Sequence, residues 1–511
     1  MTPDFPRTPA PHGRLARSAL AAIALGTALA FGLAADVRAD TAAQAPPPEA
    51  TLAPAPLAVF SASNPRVGVE PWITDGTTAG TRLLRNIGRD GNQPHEIRSS
   101  SFPRYFTALG DGRVIFTAIP RRLTGLQTLF VTDGTREGTQ IIRLIDYPSH
   151  LRGPHDLTAL GDGRALFRMF RAGGRVGLLV TDGTREGTNQ IAVWDDGAPG
   201  QLAALGDGRA LFTGRFDVTD GREFVWITDG TRRGTQVIKE INPGSFLGGT
   251  PREFTALGDG RALFSANDGV HGNELWITDS TTEGTRMVRD IRAGGPGSYP
   301  RDFTPIGGGR AIFSAEDPYR ELYVTDGTEA GTQLLREFWT GVGSGNPEWF
   351  APLGNGNFLF AARTREHGRE LWRTDGTPRG TRLVQNINRD GSSHPTHITP
   401  LGDGRAVFWV SNDPRSNDFA MWVSDGTRAG TERVRLFPGV FHARHHLATL
   451  GDGRALFVFD NGRTGWEPWV TDGTREGTHL LRNIHRTGQS DPREFTAFTP
   501  APPGEPLADA D

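Results

Sequence analysis

The sequence predicts an all-β fold: a single β-propeller of about nine four-stranded blades, closed by pairing of the C-terminal strand with the N-terminal strands. Three observations carry this reading. A unit of about fifty residues recurs nine times, each copy reads as four short antiparallel strands, and the incomplete first copy is matched by a spare strand at the end.

The recurring marker is Asp-Gly-Thr followed two residues later by Gly-Thr. It begins at Asp75, Asp133, Asp182, Asp229, Asp326, Asp375, Asp425 and Asp472, and at Asp279 with Ser280 replacing Gly. A second marker, Leu-Gly-Asp-Gly-Arg, recurs around Asp111, Asp162, Asp207, Asp259, Asp403 and Asp452. In the unit spanning Arg252 to Ile291, Phe254–Leu257 reads as a first strand, A, and Gly258-Asp259-Gly260 as a tight turn. Ala262–Ala266 is strand B, Glu274–Thr278 strand C and Thr285–Ile291 strand D. Asp-Gly supplies the positive φ that a short hairpin needs, and Asp and Thr oxygens bond to nearby backbone N–H groups. No stretch after residue 39 carries a helical period.

The first unit starts at strand B, Leu57–Phe60, and lacks strand A. The chain ends with Phe495–Phe498, a strand A with no B after it. Joining the two completes one blade and removes two exposed edges. An open arc or two unequal rings would also hold nine units, but the complementary ends favour one ring.

Composition bounds the rest. Gly 67 and Pro 36 in 511 residues indicate many turns, while 29 Phe and 11 Trp can fill a core. A net charge of −3 gives no basic stripe for nucleic acid. With no cysteine, stability must come from packing rather than disulfides. Arg14 and Arg17 precede an apolar run from Ala19 to Ala35, and Val37-Arg38-Ala39 offers small residues for cleavage, which reads as a signal peptide over 1–39. Residues 40–56 read as a Pro/Ala-rich linker, 57–499 as the propeller and 500–511 as a disordered tail. The expectation is an exported monomer, periplasmic or extracellular, with no membrane span in the mature chain.

Glu274-Leu-Trp-Ile-Thr-Asp279 and Glu370-Leu-Trp-Arg-Thr-Asp-Gly-Thr377, each followed by a Gly-Thr pair, resemble the repeat of bacterial ELWxxDGT-repeat proteins. The resemblance covers roughly residues 57–499 and implies an exported or surface protein. Pro replaces Leu before Trp72 and Trp469, Tyr323 replaces Trp, and Leu178-Leu179-Val180 has lost the motif.

No catalytic constellation emerges. Each Asp-Gly-Thr turn offers one carboxylate, whereas calcium takes six to eight oxygens, so the aspartates read as turn residues. Asn386, Asn388 and Asp390 partly follow calcium-loop spacing, but His397 stands where a bidentate Glu belongs; no cofactor is expected, with calcium at this loop as a weak alternative. The recurring Glu70, Glu274, Glu321, Glu370 and Glu467 are expected to pair with Arg of a neighbouring strand or blade.

Topology puts the fixed A–B and C–D turns on one face and the variable B–C and D–A loops on the other. Binding tends to reside in variable loops on a rigid scaffold. The candidate ligand contacts are His271 and His367 in B–C loops, and His394, His397, His442, His445, His446, Trp339 and Trp349 in or beside D–A loops. The functional expectation is a binding module for a polysaccharide or an extracellular protein. The alternatives are a polysaccharide hydrolase or lyase at the channel mouth, and a purely structural surface protein.

Overall fold

A computed structural model describes residues 54–88, 100–120, 127–143, 153–195, 199–215, 222–243, 245, 249–411, 418–437 and 447–501. The segment expected to be a signal peptide, and most of the expected linker and tail, lie outside these residues. The described strands form nine four-stranded antiparallel sheets, and the one helical element among the described residues is a 3-10 turn at Ala172–Gly174.

Eight blades are built from consecutive strands. In the unit read above, the strands are Arg252–Ala256, Ala262–Asn267, Asn273–Thr278 and Arg286–Arg289. The ninth joins the chain ends: Arg493–Phe498 pairs with Leu57–Asn64, setting Leu57 opposite Phe498, Ala58 opposite Ala497 and Val59 opposite Thr496. The expected closure is therefore present, and blade 1 is finished by the last strand of the chain.

The A strands form the inner circuit. Arg493–Phe498 neighbours Arg104–Ala108, followed by His155–Ala159, Leu202–Ala204, Arg252–Ala256, Arg301–Gly307, Glu348–Pro352, Thr396–Pro400 and Leu447–Thr449, which returns to Arg493–Phe498. Each B strand is buried on both faces because a blade is covered on either side by its neighbours. At its centre stands a fully buried Phe (Phe60, Phe116, Phe167, Phe212, Phe264, Phe313, Phe360, Phe408 or Phe457), usually opposite the motif aromatic of strand C, as Phe264 is opposite Trp276. The apolar core is thus a series of inter-blade clusters. Leu257, Leu263 and Ile277 of blade 5 pack with Phe303, Phe313 and Tyr323 of blade 6, and Val59, Ile73 and Phe498 of blade 1 with Phe106, Phe116 and Phe130 of blade 2.

The Asp-Gly-Thr motif is a self-satisfied turn. Asp326 Oδ1 accepts from the Thr328 N–H at 2.8 Å and from its hydroxyl at 2.7 Å. The Gly331 N–H donates to Thr328 Oγ1 at 3.0 Å, and the Thr325 and Thr332 hydroxyls meet at 2.8 Å. Gly327 has φ +84°, and a Cβ on Gly331 would strike the Asp326 carboxylate. The motif glycines are therefore dictated by geometry, and the carboxylate is engaged by the turn itself.

Arginines tie blade to blade on two levels. Arg164, Arg261 and Arg405 pair with the Asp of their own A–B turn and donate to the carbonyls of Asp229, Asp326 and Asp472 in the next blade's C–D turn. From the D strands, Arg336 and Arg435 reach the carbonyls of Thr381 and Thr478 at 3.1 and 2.9 Å. The chain's one lysine, Lys239, takes the same role on Thr285 at 2.7 Å. Arg482 of blade 9 bonds to the Thr81 carbonyl of blade 1, so this outer girdle also crosses the seam.

Deleting residues 493–511 should leave Leu57–Asn64 as an exposed inner edge. The expected outcome is loss of the single cooperative melting transition and new protease sensitivity, with partial recovery on adding a synthetic peptide covering 493–501. Circular dichroism and limited proteolysis would read it; an unchanged melt would mean that the closing strand is dispensable.

Candidate functional site

The D–A loops are positioned by the glutamates of strand C. These do not pair with arginine as the sequence suggested. Each is buried and clamps backbone N–H groups of the loop that leads to the next blade. Glu70 accepts from Ile87 N (3.0 Å), Gly88 N (3.1 Å) and the Ser101 hydroxyl (2.7 Å). Glu370 accepts from Ile387 N (2.8 Å), Ser393 N (2.8 Å) and the Ser393 hydroxyl (2.7 Å). Glu467 repeats this with Ile484 and Ser490, Glu274 with Ile291 and Ser298, and Glu321 with Phe338 and Gly345. The physical reason is local: the loop folds back under strand C and buries backbone donors that need an acceptor. Burial pushes the carboxyls of Glu70 and Glu370 up to about 7 and raises those of Glu274, Glu321 and Glu467.

Where the D–A loop enters strand A, the backbone turns left-handed in seven blades, whether or not a clamping Glu precedes it. Tyr105, Asp156, Glu253, Asp302, Trp349, His397 and Glu494 have φ between +52° and +64° in a recurring bulge. All seven stand four residues before the apolar residue that opens the A–B turn. Gln201 holds the same position in blade 4, and His446, the blade 9 equivalent, lies outside the described residues. A left-handed non-glycine residue costs roughly 1–2 kcal/mol. Because the strain recurs around the ring it belongs to the architecture, while the side chains it presents range over Tyr, Asp, Glu, Trp and His. They touch across blade boundaries: Gln201 Oε1 accepts from Glu253 N at 3.0 Å, Glu494 accepts from Tyr105 N, and the rings of Trp349 and His397 lie 4.2 Å apart.

Four of the sequence candidates come together over blades 7 and 8. Trp349, 39% exposed, packs on His397. The Arg363 guanidinium lies 4.8 Å from the Trp339 ring. His394 is held below the usual imidazole range by burial, then by the nearby charges of Arg369 and Arg363. Arg369 bonds Glu348 at 2.9 Å, beside Trp349. The patch thus combines an exposed indole, a second ring, a guanidinium–carboxylate pair and an imidazole whose protonation is disfavoured. His271 and His367 stand apart from it in B–C loops. Asp268, 2.7 Å away, raises the His271 pKa by hydrogen bonding, and His367 lies 3.7 Å from Glu366. His442, His445 and His446 lie outside the described residues.

The proposed calcium loop closes on itself: Asn388 Nδ2 donates to the Ser392 carbonyl at 3.0 Å and Asn388 Oδ1 accepts from Asp390 N at 3.3 Å. The Asn386 Oδ1 atom is buried without a partner, as are equivalent atoms of Asn86, Asp290 and Asn483, so this is a feature of the repeat. Among the described residues, no three His, Asp or Glu side chains are grouped to hold a metal. Two cavities, of about 960 and 920 Å³, lie between an outer strand and the next blade's C–D turn, at Arg382–Ile387 with Gly426–Arg428 and at Glu432–Leu436 with Gly473–Glu476. They recur with the blades and are remote from the inner rim.

No protein-family model matches the chain, and no curated protein matches it by sequence. Solved structures similar to it include a prolyl endopeptidase (TM-score 0.40, 10% identity, 72% of this chain and 54% of that one). A puromycin hydrolase is also similar (0.37, 18%, 71% and 58%), as is prolyl oligopeptidase B from Galerina marginata (0.40, 9%, 73% and 55%). The chain spans a little over half the length of these enzymes.

The raised carboxyls fix a pH dependence. A carboxyl whose pKa is higher folded than unfolded holds its proton more tightly in the fold, so stability rises as pH falls from 7 towards 4.5. The turn carboxyls of Asp229, Asp279, Asp326, Asp375 and Asp472 are lowered and act oppositely, their stabilisation being lost below 3.8. Melting temperature should therefore rise from pH 7.5 to about 4.5 and then fall. Glu70→Gln with Glu370→Gln should flatten the first limb and leave the second in place; an equal slope in the variant would remove the glutamates as its source.

Proposed function

We propose that the protein is an exported binding module of the ELWxxDGT-repeat type that grips a polysaccharide at the mouth of its channel, on the face bearing the B–C and D–A loops. One observation carries this: Trp349 is exposed and braced against His397 at the inner rim, beside the Glu348–Arg369 pair. The C–H face of a pyranose ring stacks on an indole, and a flanking carboxylate and guanidinium bond its hydroxyls. A rigid aromatic loses little conformational freedom on binding, which favours Trp as an anchor. The varied rim residues of the other blades give a long glycan further polar contacts around the mouth.

The three histidine–carboxylate pairs at the described His155, His271 and His367 each form with an acid of the same strand or loop, at Asp156, Asp268 and Glu366. A rim that offers one stacking platform among separated polar groups suits recognition.

The test is a glycan array with the chain from residue 40 onward, followed by Trp349→Gly. Glycine relieves the φ +64° backbone, so the melting temperature should hold or rise, while affinity for the selected glycan should fall at least tenfold, about 1.4 kcal/mol. Undiminished glycan binding would sink the assignment of Trp349, and selective capture of a protein in place of any glycan would overturn the ligand class.

A further inference from the structure

Several blades place a polar or charged side chain at one point of strand C, and blade 1 does not. The point lies three residues before the motif aromatic, and so immediately before the Glu of the Glu-Leu-Trp motif where that Glu is present. In blade 6 this residue is Arg320, which bonds Ser314 Oγ at 3.1 Å and Glu316 at 2.7 Å. In blade 7 it is Arg369, paired with Glu348, and in blade 2 it is Gln127, bonded to Thr117 at 3.3 Å. In blade 4 the polarity is reversed: Glu223 sits between Arg215 at 2.9 Å and Arg252 of the next blade at 2.6 Å. In blade 1 the position is Val69.

The result is a cavity of about 510 Å³ at the ring's seam, lined by Ser61, Ser63, Val69, Phe102, Arg104 and the segment from Gln489 to Glu494. Ser61 corresponds to Ser314 and Thr117, both of which have a partner from strand C. It is only 6% exposed, lines the cavity, and its hydroxyl has no partner among the described residues. Arg104 occupies the position that Arg252 holds against Glu223, and its guanidinium likewise has no partner among the described residues. The cavity's other charges are engaged: Asp491 pairs with Arg493 at 2.6 Å, and Glu494 accepts from Tyr105 N.

The missing group's charge follows from this set. Where strand C supplies Arg, its carboxylate partner is Glu316 or Glu348; the residues standing at those two places in blade 1 are Ser63 and Arg493. Blade 4 is the match, with the cation kept at Arg104 and the carboxylate lost at Val69. We infer that the seam cavity of blade 1 binds a carboxylate, held by Arg104 with the Ser61 and Ser63 hydroxyls, and that its source is a sugar acid of the bound polysaccharide. The source rests on the function proposed above; the carboxylate site does not. Exposed Phe102 at the cavity wall supplies an apolar surface for the sugar ring.

Two experiments test this. First, Val69→Glu would restore the blade 4 arrangement within the chain and should raise the melting temperature, with Val69→Gln giving no gain and Val69→Glu/Arg104→Gln falling below the wild type. A fall in the single Val69→Glu variant would overturn the site, because it would mean a buried carboxylate without a partner. Second, acetate, galacturonate and galactose would be titrated against the wild type by ligand-observed NMR. Acetate and galacturonate should bind and galactose should not bind at this cavity, with Arg104→Gln weakening both acids about tenfold and Trp349→Gly leaving acetate unchanged. Acid binding unaffected by Arg104→Gln would overturn the inference while leaving the Trp349 site standing. Acetate binding at Arg104 without any gain for galacturonate would keep the carboxylate site and reject the sugar source.

Discussion

Ring closure is the constraint on which everything else in this molecule depends. The pairing of Arg493–Phe498 with Leu57–Asn64 joins residues more than four hundred positions apart, and no blade is complete at the seam without it. It also fixes the two faces of the ring, since a closed circuit of inner strands is what makes one mouth with a continuous rim. The energetic support comes from both sides of the seam. Phe498 joins the cluster of Val59, Ile73, Phe106 and Phe116, while Arg482 carries the outer girdle across to Thr81. Apolar burial and inter-blade hydrogen bonds therefore act together where the chain ends meet.

Between the blades, the molecule repeats a division of labour. The Asp-Gly-Thr turn satisfies its own polar groups and leaves its backbone carbonyls to receive arginine from the preceding blade. The clamping glutamate does the same work for the opposite face, replacing the water that buried loop N–H groups have lost. Its cost is a carboxylate removed from solvent, visible in the upward shift of Glu70 and Glu370. The strained entry to strand A recurs both after clamped loops and after those of blades 2 and 4, which lack the Glu, so it belongs to the sharp reversal that starts the next inner strand.

This arrangement separates what is constant from what is free to vary. Turn residues, the buried Phe of strand B and the clamping Glu are constrained by contacts internal to the repeat. The rim residues Tyr105, Asp156, Gln201, Glu253, Asp302, Trp349, His397 and Glu494 share a backbone position and little else. The strand C position three residues before the motif aromatic behaves similarly, with Arg320, Arg369, Gln127, Glu223 and Val69 each solving, or leaving unsolved, the same packing problem.

By itself the sequence determined the repeat, the four-strand unit, the blade number and the complementary ends, because these depend on local periodicity, turn chemistry and counting. It also placed Trp339, Trp349, His394 and His397 in or beside D–A loops, whereas Trp349 and His397 stand at the start of strand A. That Trp349 and His397 occupy equivalent rim positions was written in their shared offset from the A–B turn, but the offset acquires meaning only when strand A is known to turn left-handed there. Tertiary structure alone decided that Glu70 and its equivalents hold backbone N–H groups rather than arginine, and that Val69 leaves Ser61 and Arg104 facing a cavity. Those outcomes depend on which groups are buried together across strands and blades, and one-dimensional spacing does not encode that.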